Sequence, residues 1–282
     1  MSNQKTASLS IRDAERLRSF ERQRHDDLAP TYYDFATPIT ALAIKPLLEA
    51  AQVRAGNRVL DVATGPGTLA FEATKLAAQA FGVDLSLGMI ELAKKCYPEI
   101  DFRVADVERL PFDDRLFDAV FCNFGLGHFP NPEASIAECV RTLKRGGRIA
   151  LSWWDQPSKI IQGIFLDAIT EIGVRPPPDV PTGYSLFRFS ETEEFNRLLK
   201  DRGLSEVVIE EYMTTHLVPD AEALWRGGLG SFALTASAIG HQDATIQSKI
   251  RAALERRASA YQTADGLRLP VAFKIGVGRK PD

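Results

Sequence analysis

Asp61-Val62-Ala63-Thr64-Gly65-Pro66-Gly67 is the densest chemical signal in the chain: a carboxylate at the end of an apolar run, then a Gly-x-Gly turn. A turn of this kind between a strand and a helix brings backbone N–H groups against a nucleotide. Gly65 permits the tight turn, and Gly67 lets the backbone approach a ligand with no Cβ in the way. Asp84 follows 19 positions after Gly65, where a carboxylate accepts from ribose hydroxyls. Read with Ala70, the loop fits the dinucleotide pattern, so an NAD(P)-dependent oxidoreductase is one reading. Charge favours another. Asp61 would repel a pyrophosphate at this loop, whereas S-adenosylmethionine carries an ammonium and a sulfonium against a single carboxylate. A role for Asp61 as a cap of the turn stays open beside it.

His128, in Gly125-Leu126-Gly127-His128-Phe129-Pro130, follows the apolar run Phe117–Cys122 and is the imidazole best placed to take a proton near neutral pH. A structural or substrate-orienting role is equally open to it. His25, His216 and His241 are scattered, and no spacing supports a metal site. Trp153 and Trp154 precede a second half rich in aromatics, among them Phe165, Tyr184, Phe187, Phe189, Trp225 and Phe232. Aromatics build ordinary cores. If half of these face a cleft, the substrate is a mostly apolar or aromatic small molecule. Trp153, Tyr184 and Trp225 are the candidates to touch it, and Arg226 is a candidate to hold a carboxylate or phosphate on it.

These groups need a scaffold. Arg58–Ala63, Ala80–Asp84, Phe102–Ala105, Phe117–Cys122 and Arg148–Trp153 are short apolar runs separated by helical patterns, of which Pro66–Gln79, Leu87–Cys96 and Pro132–Leu143 are the clearest. That alternation implies crossover units and a parallel sheet. The second half reads differently. Arg175–Gly183 is a proline-rich loop, and Ser190-x-x-Glu193 is a capping box opening a helix over Thr192–Asp201. Two β-like stretches, Ser205–Tyr212 and Leu269–Val277, flank helical patterns at Asp220–Ile239 and Ala244–Tyr261. A helical connection of that length predicts a cap over the mouth of the site. Near the start, Ile11–Asp27 is a charged helix with a weak apolar stripe, read as a mobile lid.

The bulk numbers exclude several classes. A net charge of −3 gives no basic footprint for nucleic acid. Three cysteines without ligand spacing predict neither a disulfide framework nor a metal site. The polar first residues are no secretory signal, no apolar run is long enough to span a membrane, and a cytoplasmic location is expected.

Four motifs in order, across about residues 30–154, resemble the class I S-adenosylmethionine-dependent methyltransferases. They are Asp61–Gly67; Val83-Asp84-Leu85-Ser86 with Met89; Ala105-Asp106 through Phe112 with Phe117–Val120; and Val140–Arg148. Phe124-Gly125-Leu126 is similar to a stretch in the ubiquinone/menaquinone C-methyltransferase branch. Gly127-His128 and Trp153-Trp154 depart from that branch, as does the second half. The resemblance implies a Rossmann-like α/β fold: a doubly wound, seven-stranded sheet, mostly parallel with the last strand antiparallel. It further implies a lid at 1–35 and a methyltransferase domain at 36–282, with cap segments at about 157–190 and 218–266. The implied cofactor is S-adenosyl-L-methionine. Asp61, Ala63, Gly65 and Gly67 would lie by its methionine part, Asp84 on the ribose, and Leu85 and Met89 on the adenine face. Asp106 and the Val107 amide would meet the adenine edge, the Asn123 carbonyl the ammonium, and Tyr33, from a Tyr-Asp pair on the lid, the carboxylate. The implied reaction is in-line methyl transfer to a small O-, N- or C-acceptor, driven mainly by proximity and orientation. A protein of this fold that binds the cofactor without methylating stays a rival, and the oligomeric state stays open.

Overall fold

The computed structural model describes residues 9–174 and 185–282. Its centre is a sheet built from β1 (Arg58–Val62), β2 (Gln79–Asp84), β3 (Asp101–Val104), β4 (Phe117–Asn123), β5 (Leu143–Trp154), β6 (Ser205–Val218), β7 (Gln262–Thr263) and β8 (Gly266–Arg279). The order is β3-β2-β1-β4-β5-β8-β6, with β7 paired to β8. β1 runs parallel to β2 and β4, and β8 is antiparallel to both β5 and β6. The expected seven-stranded path is present with its last strand reversed, and the two-residue β7 adds a short hairpin as an eighth strand.

Helices α3 (Thr68–Thr74), α4 (Leu87–Cys96) and α5 (Pro132–Thr142) are the crossovers of the parallel half. α4 occupies the span its pattern predicts, because the Ser86 hydroxyl caps it by accepting from Met89 N. α3 is shorter than expected at both ends: Gly67 (φ 83°) forms its cap and delays its start, and the chain leaves the helix after Thr74, turning at Ala77 (φ 58°) to enter β2 at Gln79. Strand residues Val59, Leu60, Val62, Val83, Phe102, Phe117, Val120, Phe121, Ile149 and Leu151 are buried in one continuous core.

The N-terminal helix departs most from expectation. α1 runs Ile11–Thr40, through Pro30 and Pro38, instead of ending near Asp27. Proline normally interrupts a helix. Here the segment beyond Asp27 buries Leu28, Ala29, Ala36, Thr37 and Ile39, and that packing holds the helical path. α1 lies against α4, α8 (Ala221–Leu229) and α9 (Ala233–Gly240), so the cap and the N-terminal helix cover the sheet together. The cap pattern after β6 resolves into three helices, α8, α9 and α10 (Ala244–Ala258). Two more, α2 (Ile44–Ala50) and α6 (Ile161–Ile172), flank the sheet. α7 (Thr192–Lys200) forms where expected, but not through a capping box: its N-cap, Glu191, makes no side-chain capping bond, and the Ser190 hydroxyl donates to Phe187 O. The proline-rich loop at 175–183 lies outside the described residues.

Candidate active site

The parallel order reverses between β1 and β4, so the loops leaving their carboxyl ends diverge and open a crevice. Register then aligns its wall. Asp61 pairs with Gly82 and Val62 with Val83, which sets the glycine loop beside the end of β2. Thr64 N donates to Val83 O at 2.9 Å, and Gly65 N donates to Asp84 Oδ2 at 2.9 Å. Asp84 Oδ1 accepts from Ser86 N at 2.9 Å. Each oxygen thus holds one backbone donor and keeps capacity for another. Burial still pushes the Asp84 carboxyl above the usual range. Ala63 and Phe124, at the ends of β1 and β4, both adopt positive φ (53° and 57°), backbone strain of the kind that gathers at ligand sites.

Two chambers meet at this point. The first is lined by Ala63, Gly65, Asp84, Leu85, Met89, Asp106, Val107 and Asn123, together with Arg18, Glu21 and Arg22 of α1. The second is mostly apolar, walled by Ile39, Trp153, Trp154, Ile161, Phe232 and Val271, with Thr40, Gln162 and Ser231 among its polar residues. His25, Tyr32, Phe124 and His128 line both. Trp154 stacks on Phe124 at 3.8 Å between ring centroids, and Trp153 donates its indole N–H to Leu186 O at 2.9 Å.

Eight of the expected cofactor residues therefore share one cleft, and His128 stands at its junction with the second chamber. Three do not reach it. Asp61 is buried behind the loop, where the Thr64 hydroxyl donates to it at 2.6 Å, and burial pushes its carboxyl up to about 7. Gly67 does not line the cleft and is packed against Phe102, whose ring a Cβ there would meet at 2.5 Å. Tyr33 is exposed and turns towards Tyr97. Tyr32 lines both chambers instead, because α1 is unbroken here and neighbouring residues on a helix point about 100° apart.

Of the acceptor candidates, Trp153 lines the second chamber. Trp225 does not, being stacked on Phe165 within the cap at 6.4 Å, and Arg226 faces solvent. Tyr184 lies outside the described residues.

The sequence reading missed the α1 face. Glu21, His25, Tyr32 and Ala36 recur at helical spacing and all line a chamber. Glu21 is 4% exposed, with Oε2 3.1 Å from His128 Nδ1 and 3.5 Å from His25 Nδ1. The ring N–H does not point squarely along the shorter line, so both Glu21 oxygens stop short of a full hydrogen bond. Burial opposes both charges. The attraction outweighs it: Glu21 is held below the usual carboxylate range by the two imidazoles, and His128 above the usual imidazole range by Glu21 and Asp84. His25, read as scattered, instead packs edge-on against His128 at 5.2 Å. Donor atoms of Glu21, His25 and His128 lie within 4.8 Å of one another, a spacing that would also admit a cation.

Salt links fasten α1 over the first chamber. Arg18 lies 2.7 Å from Asp106 and 2.9 Å from Glu108, while Asp26 accepts from the Ser86 hydroxyl at 2.6 Å and from Gly88 N at 2.9 Å.

Known proteins agree with this architecture. The family described as methyltransferase domain matches residues 60–151. The chain is 30% identical over 199 residues to a demethylmenaquinone methyltransferase of Renibacterium salmoninarum, covering 64% of this chain and 82% of the relative. A demethylmenaquinone methyltransferase of Chlorobaculum tepidum is 29% identical over 215 residues, 67% of this chain and 86% of the other. Among solved structures, the YcgJ protein of Bacillus subtilis shares the fold with TM-score 0.55 at 19% identity, covering 86% of this chain and 99% of that one. Haemonchus contortus phosphoethanolamine N-methyltransferase 2, in complex with phosphomonomethylethanolamine and S-adenosylhomocysteine, gives TM-score 0.53 at 18% identity, over 86% and 53%.

The chain belongs to the class I S-adenosylmethionine-dependent methyltransferases, in their quinone methyltransferase branch. It is an enzyme that moves a methyl group from S-adenosylmethionine to a small molecule, and the oxidoreductase reading is set aside. Among the described residues no helix is long and apolar enough to cross a membrane.

Proposed function

We infer that the acceptor is a planar, mostly apolar phenol, of which a reduced quinone is the leading case, and that it occupies the aromatic chamber while the cofactor fills the polar one. The observation that carries this reading is the meeting of the two chambers at His25, Tyr32, Phe124 and His128. The flat, aromatic walls suit a ring substrate. The names of the curated relatives add the quinone class.

The polar chamber fits S-adenosylmethionine by its donor set. Asp84 has acceptor capacity left for ribose hydroxyls, and Leu85, Met89 and Phe129 offer apolar surface for a purine. Asp106 and Val107 stand at the purine edge, and the buried Glu21 carboxylate faces the cationic end without a full partner. When bound, S-adenosylmethionine supplies an electrophilic methyl group opened to in-line displacement. The protein's own part is to hold the ring at attack distance, keep water out with α1 and the cap, and take the phenolic proton at His128 Nε2. In this reading α1 is the lid, and α8 to α10 form the cap. A cytoplasmic location belongs to the same reading and fits the three free cysteines.

The test is product analysis with S-adenosyl[methyl-13C]methionine and a short-chain demethylmenaquinol kept reduced. One labelled methyl group on the extracted ring is expected. Label absent from this and from simple naphthols, while the cofactor binds, overturns the acceptor class.

A further inference from the structure

The position of His128 at the chamber junction explains where a proton would go, but not what prepares the imidazole to receive it. Resting on that reading of His128, we propose that Glu21 and His25 of α1 are positioning residues for the base: the docked helix presents a buried carboxylate to Nδ1, so that Nε2 is competent only while α1 covers the cleft.

Three observations lead there. Glu21 is a buried carboxylate whose neighbours are two imidazoles, one from its own helix and one from the loop after β4. A buried carboxylate without a close partner is costly, so its placement points to the ring it faces. The His128 ring is held edge-on between His25 at 5.2 Å and Trp153 at 5.5 Å, which fixes its plane from two elements. Finally, the links from Arg18 to Asp106 and Glu108 and from Asp26 to Ser86 and Gly88 dock the first half of α1 beside the cofactor chamber. Cofactor entry must displace those links, and with them Glu21, from His128. Closure restores the pair. The charged or titratable groups facing this ring are then Glu21, His25 and Tyr32 from α1 and Asp84 from β2.

The acceptor O–H bond breaks and its proton passes to Nε2, while Nδ1 stays 3.1 Å from Glu21 Oε2. The electron pair left on oxygen activates the ring carbon, which bonds the methyl carbon as the carbon–sulfur bond breaks and its pair remains on sulfur. The ring C–H proton leaves to bulk water once the cleft reopens, as the proton on His128 returns to oxygen. A divalent cation at the same three side chains would stand beside a sulfonium, and like charges at that range disfavour it.

Wild type, E21Q, E21D and H128N are compared by calorimetry with S-adenosylmethionine, by kcat and KM against pH, and by NMR titration of the imidazoles in cofactor-free protein. E21Q is expected to lower kcat roughly 10–100-fold while acceptor KM stays within about threefold. In E21Q the His128 resonance should titrate at lower pH than in wild type, with the acid limb of kcat/KM moving with it, and E21D should recover part of kcat. Should E21Q lose helical signal, E21D carries the comparison alone, with a lowered kcat expected and an unchanged one overturning the proposal. An unmoved titration and wild-type kcat in E21Q, beside an impaired H128N, overturn the role of Glu21 and leave the base intact. A fully active H128N overturns the base itself. Activity abolished by chelation and restored by a divalent ion replaces both with a metal centre.

Discussion

Oε2 of Glu21, on the N-terminal helix, lies 3.1 Å from Nδ1 of His128, on the loop after β4, and this contact joins the lid to the floor of the active site. Its stability has a defined pH window. The carboxyl of Glu21 is lowered from 4.5, so its contribution is present above that value and lost as pH falls through the folded value. His128 is raised from 6.5, so its contribution is complete below that value and lost as pH rises through the folded one. The melting-temperature gap between wild type and E21Q should therefore be widest between 4.5 and 6.5 and narrow on either side. Thermal melts at several pH values read this directly, and a gap independent of pH contradicts it.

The proposed binding mode places most of the weight of cofactor recognition on Asp84. Replacing it by alanine removes the carboxylate proposed to accept from both ribose hydroxyls and also strips a partner from Gly65 N and Ser86 N. Bonds to a charged acceptor are worth about 1.5–3 kcal/mol each, so affinity for S-adenosylmethionine should fall by at least about 100-fold in D84A. Calorimetry would show it, together with a lower melting temperature from the two freed amides.

The cofactor half of the site was legible because its chemistry is written in short local segments. Strand, turn and helix follow one another around Gly65, Asp84 and Asp106, and parallel register brings their ends level. What was not legible depends on side-chain direction or on distant packing. Asp61 and Gly67 carry the right residue types but turn into the protein. Whether Tyr32 or Tyr33 faces the cleft depends on α1 continuing past Pro30, and burial of Ala36 and Ile39 decides that. Glu21 and His25 share a face by their spacing of four, but Tyr32 joins them only because α1 continues past Asp27. The meaning of that face depended on His128, which arrives from another element. The acceptor wall was read from aromatic content, which cannot tell Trp154, on the chamber, from Trp225, stacked inside the cap.

Asp61 offers a sharper test of that distinction. Its carboxyl is raised to about 7, so the ionised form is disfavoured in the folded protein and stability declines as pH rises from 3.8 towards that value. D61N removes the decline. At pH 8 the variant should gain about 1–3 kcal/mol over wild type, an advantage that disappears near pH 4. Its cofactor affinity should fall less than that of D84A, because Asp61 does not line the cleft. Denaturant melts at the two pH values and one calorimetric titration decide both points.

Arg18 occupies Asp106 in the closed protein, at the edge expected to receive the purine amino group. R18A should loosen α1 and speed cofactor association severalfold, since a partly exposed ion pair is worth at most about 1 kcal/mol. Stopped-flow binding should show the faster rate, with faster amide exchange along α1. An unchanged association rate would mean that these links do not limit entry.

In the proposed arrangement the cofactor's sulfur sits where the two chambers meet, and a crystal structure with S-adenosylhomocysteine shows whether it does. Ribose hydroxyls on Asp84, the purine between Leu85, Met89 and Phe129, and the sulfur beside Phe124 and His128, facing the aromatic chamber, are expected. A sulfur directed away from His128, or an adenosine lodged between Trp154 and Phe232, would contradict it.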